Sequence, residues 1–336
     1  MNKVFIIAEA GVNHNKGLDI AFALVDAAKK AGADAVKFQT YIAEKCISRY
    51  ASMAEYQRKR IGKGKTQFEM AKELELTFDD FRKIKKHCDD IGILFLSTPD
   101  EEESLDFLCS LGMPLIKIGA AEMTNHPFLD IVARKKKPII LSTGMSTVPE
   151  IKDAIKAIYK AGNKNISLLH CVTEYPAPID QINLSAIKTM SKEFNVPVGY
   201  SDHTVGIEAS IAAVAIGARI IEKHFTIDKI MKGPDHGCSL NPAELAAMIL
   251  AIRNVEKAMG TGIKMPAKCE TKNLAVVRKS IVTARNIKKG EKLTCEDIAI
   301  KKPGNGIEPF NYDIVLGKIV KRNIKADKVL FWKDLK

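Results

Sequence analysis

The sequence lacks the features that mark several protein classes. It has 336 residues but one tryptophan, and no apolar run approaches the length of a membrane-spanning helix. The seven cysteines are scattered and none form a Cys-x-x-Cys pair, which argues against a disulfide framework or a zinc cluster. The N-terminal stretch Met1–Glu9 lacks the long apolar core and cleavage site of a signal peptide. We therefore expect a cytoplasmic protein with reduced thiols and no membrane partner.

The net charge of +12 is unevenly distributed. Residues 261–336 contain 18 Lys and Arg against 8 Asp and Glu, a net charge of +10, and residues 1–260 carry only +2. A basic segment can bind nucleic acid, gather an anionic substrate or simply be solvated. Because this segment has four aromatic residues and no recognition motif, we expect no nucleic-acid partner.

Residues 1–260 alternate short apolar runs with longer amphipathic segments eight times. The predicted strands are Val4–Ala8, Ala35–Phe38, Leu94–Ser97, Leu115–Ile118, Pro138–Leu141, Ile166–His170, Val198–Tyr200 and Ile220–Glu222. The predicted helices are Asp19–Ala31, Phe78–Ile91, Glu101–Leu111, Val148–Ala161, Leu184–Phe194, Glu208–Ile216 and Pro242–Met259. Eight such units in about 250 residues are typical of a (β/α)8 TIM barrel. A doubly wound sheet competes, but no Gly-x-Gly-x-x-Gly follows an early strand.

The composition changes after Gly260. Residues 261–276 are polar and predict a linker, and residues 277–336 show short strands around turn clusters such as Lys302–Gly306. We therefore predict a barrel domain at 1–260 and a small β-rich domain at 277–336, which buries little core alone. Within the barrel, residues 41–77 form an insertion long enough to suggest a functional role.

Polar side chains lie at or just after the carboxyl end of every predicted strand. In strand order these are Glu9 with Asn13 and His14, Lys37 with Gln39, Ser97 with Thr98, Lys117 with Glu122, Ser142 with Thr143, His170 with Thr173 and Tyr175, Ser201 with His203, and Glu222 with His224. Chemistry in a barrel collects at this end of the strands. Because buried charge is costly unless it is paired, the ring of polar ends predicts a functional site.

The residue types indicate what that site binds. Two lysines and three hydroxyls suit a phosphate or carboxylate group: Lys37, Lys117, Thr98, Ser142 and Ser201. His203 and His224 end neighbouring strands and can share one divalent metal, with Glu9 as a third ligand or a base. Two alternatives stay open at this point. Either lysine could form a Schiff base, and the hydroxyls could merely cap helices.

The same segments carry a resemblance to a known family. They are Ala8-Glu-Ala-Gly-Val-Asn-His14, Val36-Lys-Phe-Gln-Thr40, Phe95-Leu-Ser-Thr-Pro99, Leu141-Ser-Thr-Gly-Met145, Leu169-His-Cys171, Glu174-Tyr-Pro-Ala-Pro178, Gly199-Tyr-Ser-Asp-His-Thr204, Glu222-Lys-His-Phe-Thr226, Gly233-Pro-Asp-His236 and Lys302-Pro-Gly-Asn-Gly306. In this order and across the whole chain, the sequence resembles the sialic acid synthases, which include N-acetylneuraminate, legionaminate and pseudaminate synthases.

The resemblance implies a TIM barrel joined to a C-terminal antifreeze-like (SAF, β-clip) domain. It also implies a domain-swapped homodimer in which each small domain covers the partner's active site. The implied reaction condenses phosphoenolpyruvate with an open-chain N-acetylated amino sugar and water to give a nine-carbon 2-keto sugar acid and phosphate. N-acetylmannosamine is the first expectation for the sugar. A 6-deoxy diacetamido hexose, as in legionaminate or pseudaminate synthases, is the alternative.

The resemblance also implies roles for individual residues. Manganese, or magnesium or cobalt in its place, would lie on His203 and His224, with Glu9 handling the attacking water. The residues expected to be catalytic are Glu9, Lys37, His203 and His224. Those expected to bind substrate are Thr98, Lys117, Ser142, Ser201 and Thr173, with Gln39, Glu122, Tyr175 and Asp235 facing the sugar.

Two positions depart from the family pattern. Ala120 stands where the family often has serine, so one phosphate donor is expected to be missing. Lys302 stands where the family usually has an arginine that reaches the sugar's acetyl group from the partner subunit. Lysine lacks the planar fork of arginine, so we expect a contact that is weaker or tuned to another sugar.

Overall fold

A computed structural model describes residues 3–62 and 64–336. Met1, Asn2 and Lys63, which belong to the predicted barrel domain and its insertion, lie outside the described residues. The chain divides into two compact units, of which the first ends at Thr261 and the second comprises Gly262–Lys336.

The first unit is built around eight parallel strands. They are β1 Phe5–Gly11, β2 Ala35–Thr40, β3 Leu94–Pro99, β4 Ile116–Ile118, β5 Ile139–Ser142, β6 Ile166–Cys171, β7 Val198–Asp202 and β8 Ile220–His224. Their hydrogen-bonded order is β3-β2-β1-β8-β7-β6-β5-β4, and β3 and β4 lie against each other. The predicted (β/α)8 barrel is therefore confirmed and nearly closed.

Helices alternate with the strands around the barrel. They are α1 Leu18–Ala31, α2 Ala43–Cys46, α3 Glu55–Ile61, α4 Gln67–Leu74, α5 Phe78–Ile91, α6 Glu102–Ser110, α7 His126–Arg134, α8 Val148–Lys160, α9 Ala186–Phe194, α10 Glu208–Ala215 and α11 Pro242–Ala258. The helix α7 was not predicted, and α2, α3 and α4 lie in the insertion at 41–77. Among the described residues, no helix is both long and apolar enough to cross a membrane.

The sequence of α5 shows why these helices form where they do. The Thr77 hydroxyl accepts a hydrogen bond from the backbone N–H of Asp80 at 3.2 Å, which caps the first turn. Phe81, Ile84 and Cys88 recur at helical spacing and are buried against the barrel. Gly92 ends the helix with a φ of 73°, a left-handed conformation that glycine adopts without steric cost.

The insertion has a small apolar cluster of its own. Tyr41 and Ala71 pack together with Val12 from the first strand–helix loop, and the Tyr41 hydroxyl donates to the Ala71 carbonyl at 3.1 Å. Arg60 in α3 donates to the Pro234 carbonyl at 2.8 Å. These contacts fix the insertion beside the loop that follows β8.

The second unit contains a small antiparallel sheet. Strands β9 (Ser280–Thr283) and β10 (Ile298–Lys301) pair with Ile298 opposite Thr283, and short helices form at α12 (Thr271–Val277) and α13 (Tyr312–Val315). Its separate core includes Ile281 and Leu330, both fully buried. Much of α12 lies in the segment predicted as a linker.

Candidate active site

A cavity of about 310 Å³ lies where the carboxyl ends of the barrel strands meet. We call it the mouth cavity. Eleven of the predicted site residues line it: Glu9, Lys37, Gln39, Thr98, Lys117, Ser142, Thr173, Tyr175, Ser201, His203 and His224. Three do not. Asp235 lines a neighbouring recess, Glu122 is bonded to Asn125 outside the lining, and Lys302 is an exposed residue of the second unit.

Strand register brings distant residues together in this cavity. Glu9 on β1 lies opposite Lys37 on β2 and opposite His224 on β8. Ser201 on β7 lies opposite Glu222 on β8. Gly11 has a φ of +52°, a conformation that favours glycine, and a Cβ added there would only contact Glu9 Oε1 and His224 Cε1, at 3.4 Å each.

The two lysines are fully buried yet partnered. Lys37 Nζ lies 2.7 Å from Glu9 Oε2 and donates to Thr98 Oγ1 at 2.9 Å. Lys117 Nζ donates to Ser142 Oγ at 2.8 Å. Burial lowers the pKa of Lys117, whereas Glu222 and Glu9 outweigh the effect of burial and raise the pKa of Lys37.

Glu222 is a site residue that the sequence-based list omitted. Its carboxylate accepts from Ser201 Oγ at 2.9 Å and lies 3.5 Å from Lys117 Nζ and 3.8 Å from Lys37 Nζ. Burial opposes its charge, but the two lysines lower its pKa below the usual range. The signal was present, because Glu222 is two residues before His224 and so points to the same face of β8.

The pKa of Glu9 is raised, whereas that of Glu222 is lowered. Burial is the main cause that raises the pKa of Glu9, and the nearby Glu222 carboxylate adds to it, while Lys37 opposes the shift. The carboxyl group can therefore exchange a proton in a pH range where an exposed glutamate would stay ionised.

The imidazoles of His203 and His224 face the same cavity. Their ring centroids are 5.7 Å apart, and the Tyr175 ring lies 4.1 Å from the first and 5.6 Å from the second. His203 Nδ1 lies 2.6 Å from the Val172 carbonyl oxygen. Because a carbonyl only accepts, Nδ1 carries the proton and Nε2 keeps its lone pair.

These features fit a divalent metal. His224 Nδ1 is buried and has no hydrogen-bond partner among the described residues. Burial lowers the pKa of both imidazoles, which keeps them neutral and able to coordinate. Residues 3–62 and 64–336 contain no group of three or more His, Cys, Asp or Glu side chains arranged to hold a metal ion. The protein would therefore supply two nitrogens and leave the other positions to oxygen atoms of substrate or water.

A recess of about 160 Å³ adjoins the mouth cavity. The insertion and the loops after β1, β3 and β8 form its walls, which include Val12, Ile47, Met70, Leu74, Gln67, Asp100 and Asp235. Burial, with Glu122 nearby, raises the pKa of Asp100 to about 7. The sequence-based list missed Asp100, although it directly follows β3 and lies two residues after Thr98. Gln67 carries no such signal, because it comes from an insertion helix.

Comparison with known proteins places this arrangement in a family. The NeuB family model matches residues 24–264, and the SAF domain model matches residues 278–336. The chain is 48% identical to N,N'-diacetyllegionaminic acid synthase of Campylobacter jejuni, over 98% of this chain and 99% of that protein. It is 36% identical to human N-acetylneuraminate-9-phosphate synthase, over 97% of this chain and 91% of that protein.

A solved structure agrees with these matches. N-acetylneuraminic acid synthetase of Leptospira borgpetersenii, crystallised with citrate, superposes with a TM-score of 0.72 at 35% identity, over 81% of this chain and 90% of that one. The expected sialic acid synthase family and SAF domain are thereby confirmed. The chain belongs to the NeuB family, as a phosphoenolpyruvate-using condensing enzyme with a C-terminal SAF domain.

Proposed function

We propose that the enzyme condenses phosphoenolpyruvate with an open-chain 6-deoxy diacetamido hexose, as a legionaminate-type synthase. N-acetylmannosamine was the first expectation from the sequence. The identity of 48% to a diacetyllegionaminic acid synthase, against 36% to an N-acetylneuraminate-9-phosphate synthase, favours the alternative.

One observation carries the chemistry: two buried lysines and two neutral imidazoles line one cavity. Phosphoenolpyruvate bears a phosphate and a carboxylate, which ammonium groups and hydroxyls bind through charge-assisted hydrogen bonds. Lys37 with Thr98 and Lys117 with Ser142 supply two such donor pairs. Thr173 Oγ1 is buried without a partner among the described residues and adds a hydroxyl in the cavity that also contains Ala120.

The imidazoles fit the aldehyde end of the sugar. A divalent ion on His203 and His224, with manganese as the first candidate, would act as a Lewis acid towards the aldehyde oxygen. Tyr175 packs against both rings and limits how they can turn. A sugar bound there through its aldehyde oxygen would have its aldehyde carbon in the same cavity as the lysines and hydroxyls proposed to hold phosphoenolpyruvate.

Glu9 fits the hydration step. After C3 forms the new bond to the aldehyde carbon, water adds at C2, and the tetrahedral intermediate collapses to the keto acid as phosphate leaves. The water must lose a proton in this step. Glu9 lies beside Lys37, and its raised pKa suits it to accept that proton and return it.

Phosphate release tests the proposal. Wild-type protein with phosphoenolpyruvate and manganese is assayed against a panel of sugars that contains a 6-deoxy diacetamido hexose and N-acetylmannosamine. We expect release that needs both a sugar and the metal, is abolished by a chelator, and is fastest with the diacetamido sugar. Faster turnover of N-acetylmannosamine would overturn the sugar assignment.

The same assay separates the competing chemistry. A Schiff-base enzyme using Lys37 or Lys117 would give a covalent adduct on borohydride reduction, and its turnover would be insensitive to a chelator. Burial lowers the pKa of Lys117, as a Schiff-base lysine would require, although Glu222 opposes that shift, so the borohydride and chelator results decide between the two mechanisms. An adduct without metal dependence would overturn the condensation mechanism.

We further propose a homodimer built through the second unit. That unit exposes large apolar side chains, with Phe310 80%, Ile314 57% and Trp332 47% exposed. Exposed apolar groups of this size are typical of protein interfaces. In a domain-swapped dimer, Lys302 would reach the sugar bound by the partner subunit. Light scattering should give twice the chain mass, and Phe310→Ser should weaken the dimer, whereas a monomeric wild type would exclude it.

A further inference from the structure

The recess beside the mouth cavity continues the substrate site. The two cavities share His224, Tyr175 and Gln39 in their walls. A sugar whose aldehyde carbon lies at His224 therefore has its remaining carbons at the entrance to the recess. This step rests on the proposed function, because it takes the aldehyde to lie at the imidazoles.

The far wall of the recess is apolar. Val12 and Met70 are each only 7% exposed, and Ile47 and Leu74 pack against the same insertion cluster. A sugar hydroxyl placed against such a wall would lose its bonds to water without gaining a partner. A methyl group placed there would instead bury apolar surface, which is favourable.

The near wall presents polar groups suited to an amide. The side chains of Gln39 and Gln67 have no hydrogen-bond partner in the described part of the chain, and the same holds for Asp100. An amide side chain both donates and accepts, which matches the N–H and C=O of an acetamido group. The recess thus offers amide partners beside a surface for methyl groups.

We propose that the recess formed by the insertion holds the far half of the sugar, with the C6 methyl and the methyl of the second acetamido group against Val12, Met70 and Leu74. Gln39 and Gln67 then bond that acetamido group. The insertion at 41–77 is by this reasoning the element that selects a deoxy, doubly acetylated sugar over one with free hydroxyls.

The size of the selection follows from the wall chemistry. An apolar pocket rejects a substrate that adds a hydroxyl by at most about 100-fold in kcat/KM. We therefore expect wild-type kcat/KM to favour the 6-deoxy diacetamido hexose over N-acetylmannosamine by roughly 10- to 100-fold.

Two substitutions test the recess while nearly preserving side-chain shape. Met70→Gln and Val12→Thr each place a polar group in the apolar wall. We expect each substitution to reduce the preference for the diacetamido sugar by roughly tenfold. Most of this change should come from a lower kcat/KM for the diacetamido sugar. Met53→Gln is the matched control, because Met53 is 3% exposed, lies in the same insertion and lines neither cavity. It should leave the ratio at the wild-type value.

The outcomes separate this inference from the proposed function. An unchanged ratio in both folded recess variants, or an equal change in the control, would overturn the recess assignment and leave the condensation chemistry standing. Val12→Thr keeps the test decisive if Met70→Gln does not fold. A wild type that releases no phosphate with either sugar would overturn the proposed function and the recess assignment with it.

Discussion

Lys223 and Asp202 form a fully buried ion pair directly behind the two imidazoles. Lys223 Nζ lies 3.0 Å from Asp202 Oδ2 and donates to the Thr204 carbonyl at 2.6 Å. The other bonds of Asp202 come from the Thr204 backbone N–H and hydroxyl and from Ser210. Asp202 lies opposite Lys223 in the strand register, and they come one residue before His203 and His224, respectively. Because neighbouring residues on a strand point to opposite faces, the pair lies on the outer face of the barrel and joins β7 to β8.

Lys223→Met should lower the free energy of unfolding by about 3 to 5 kcal/mol. The reason is that it leaves the Asp202 carboxylate buried without its counter-charge. Urea unfolding followed by circular dichroism measures this. Adding Asp202→Asn to the Lys223→Met variant should restore part of the lost free energy of unfolding. Lys86→Met is the matched control, since Lys86 and Asp90 are 75% and 57% exposed and should contribute at most about 1 kcal/mol. Equal losses in the two variants would contradict the role of the buried pair.

Gly199→Ala should destabilise the barrel by about 1 to 3 kcal/mol through overpacking. A Cβ at Gly199 would lie 2.4 Å from the Ile220 carbonyl oxygen and 2.7 Å from Ile220 Cβ, so β7 and β8 would have to move apart. Gly119→Ala provides the comparison. Gly119 has a φ of −69°, which suits any residue, and a Cβ added there would contact only Thr98 Cγ2, at 4.0 Å. Thermal unfolding of both variants tests this, and equal midpoints would contradict it.

Asp100 should make stability depend on pH. Its pKa is about 7 in the folded protein, because burial and Glu122 raise it from an ordinary 3.8. Between pH 4 and 7 the folded chain holds a proton that the unfolded chain has lost, so this residue reduces stability as the pH rises through that window. Since a tenfold change in proton affinity corresponds to about 1.4 kcal/mol, the effect is roughly 2 to 4 kcal/mol.

Asp100→Asn isolates this contribution. The variant should gain stability relative to wild type as the pH rises from 4 to 8, with no further gain above it. Urea midpoints measured for both proteins across this range give the difference directly. A difference that does not change with pH would show that Asp100 has an ordinary pKa, and one that shrinks as the pH rises would show that its pKa is lowered.

Glu9→Gln should reduce kcat by about 100- to 10,000-fold, the range expected when a general acid–base group is lost. The amide keeps the shape of the carboxyl group but cannot accept the proton of the attacking water. Steady-state phosphate release measures kcat, and calorimetric binding of phosphoenolpyruvate shows that the site still assembles. A kcat within threefold of wild type would remove Glu9 from the chemistry.

The sequence predicted the barrel because each unit repeats a local pattern. All eight strands appear, and α5 spans Phe78–Ile91 as expected. Seven of the eight strands extend further than predicted at their carboxyl ends, where polar residues such as Asp202 and His224 interrupt the apolar pattern that defined them, and β4 ends at Ile118 as predicted. The helix α7 was not predicted from the sequence, although the Asn125 side chain caps it by accepting a hydrogen bond from the Phe128 N–H at 3.3 Å.

The site was predictable where it follows strand ends and not where it depends on tertiary contacts. Lys37 and His224 were found because each lies at the end of an apolar run. Tyr56 and Gln67 also line the mouth cavity but were not predicted, because the insertion that carries them has no periodic relation to the strands. Their place at the mouth depends on contacts such as that of Arg60 with the Pro234 carbonyl, which join segments 174 residues apart.

A manganese titration followed by electron paramagnetic resonance tests metal binding by His203 and His224 most directly. We expect one ion per chain in the wild type, and affinity reduced at least tenfold in His203→Ala and in His224→Ala, with both variants folded by circular dichroism. His170→Ala is the control, because the His170 imidazole is hydrogen-bonded to the Ile182 carbonyl at 2.6 Å. This variant should leave manganese binding unchanged. Wild-type manganese affinity in either His203→Ala or His224→Ala would show that the two imidazoles do not share a metal ion.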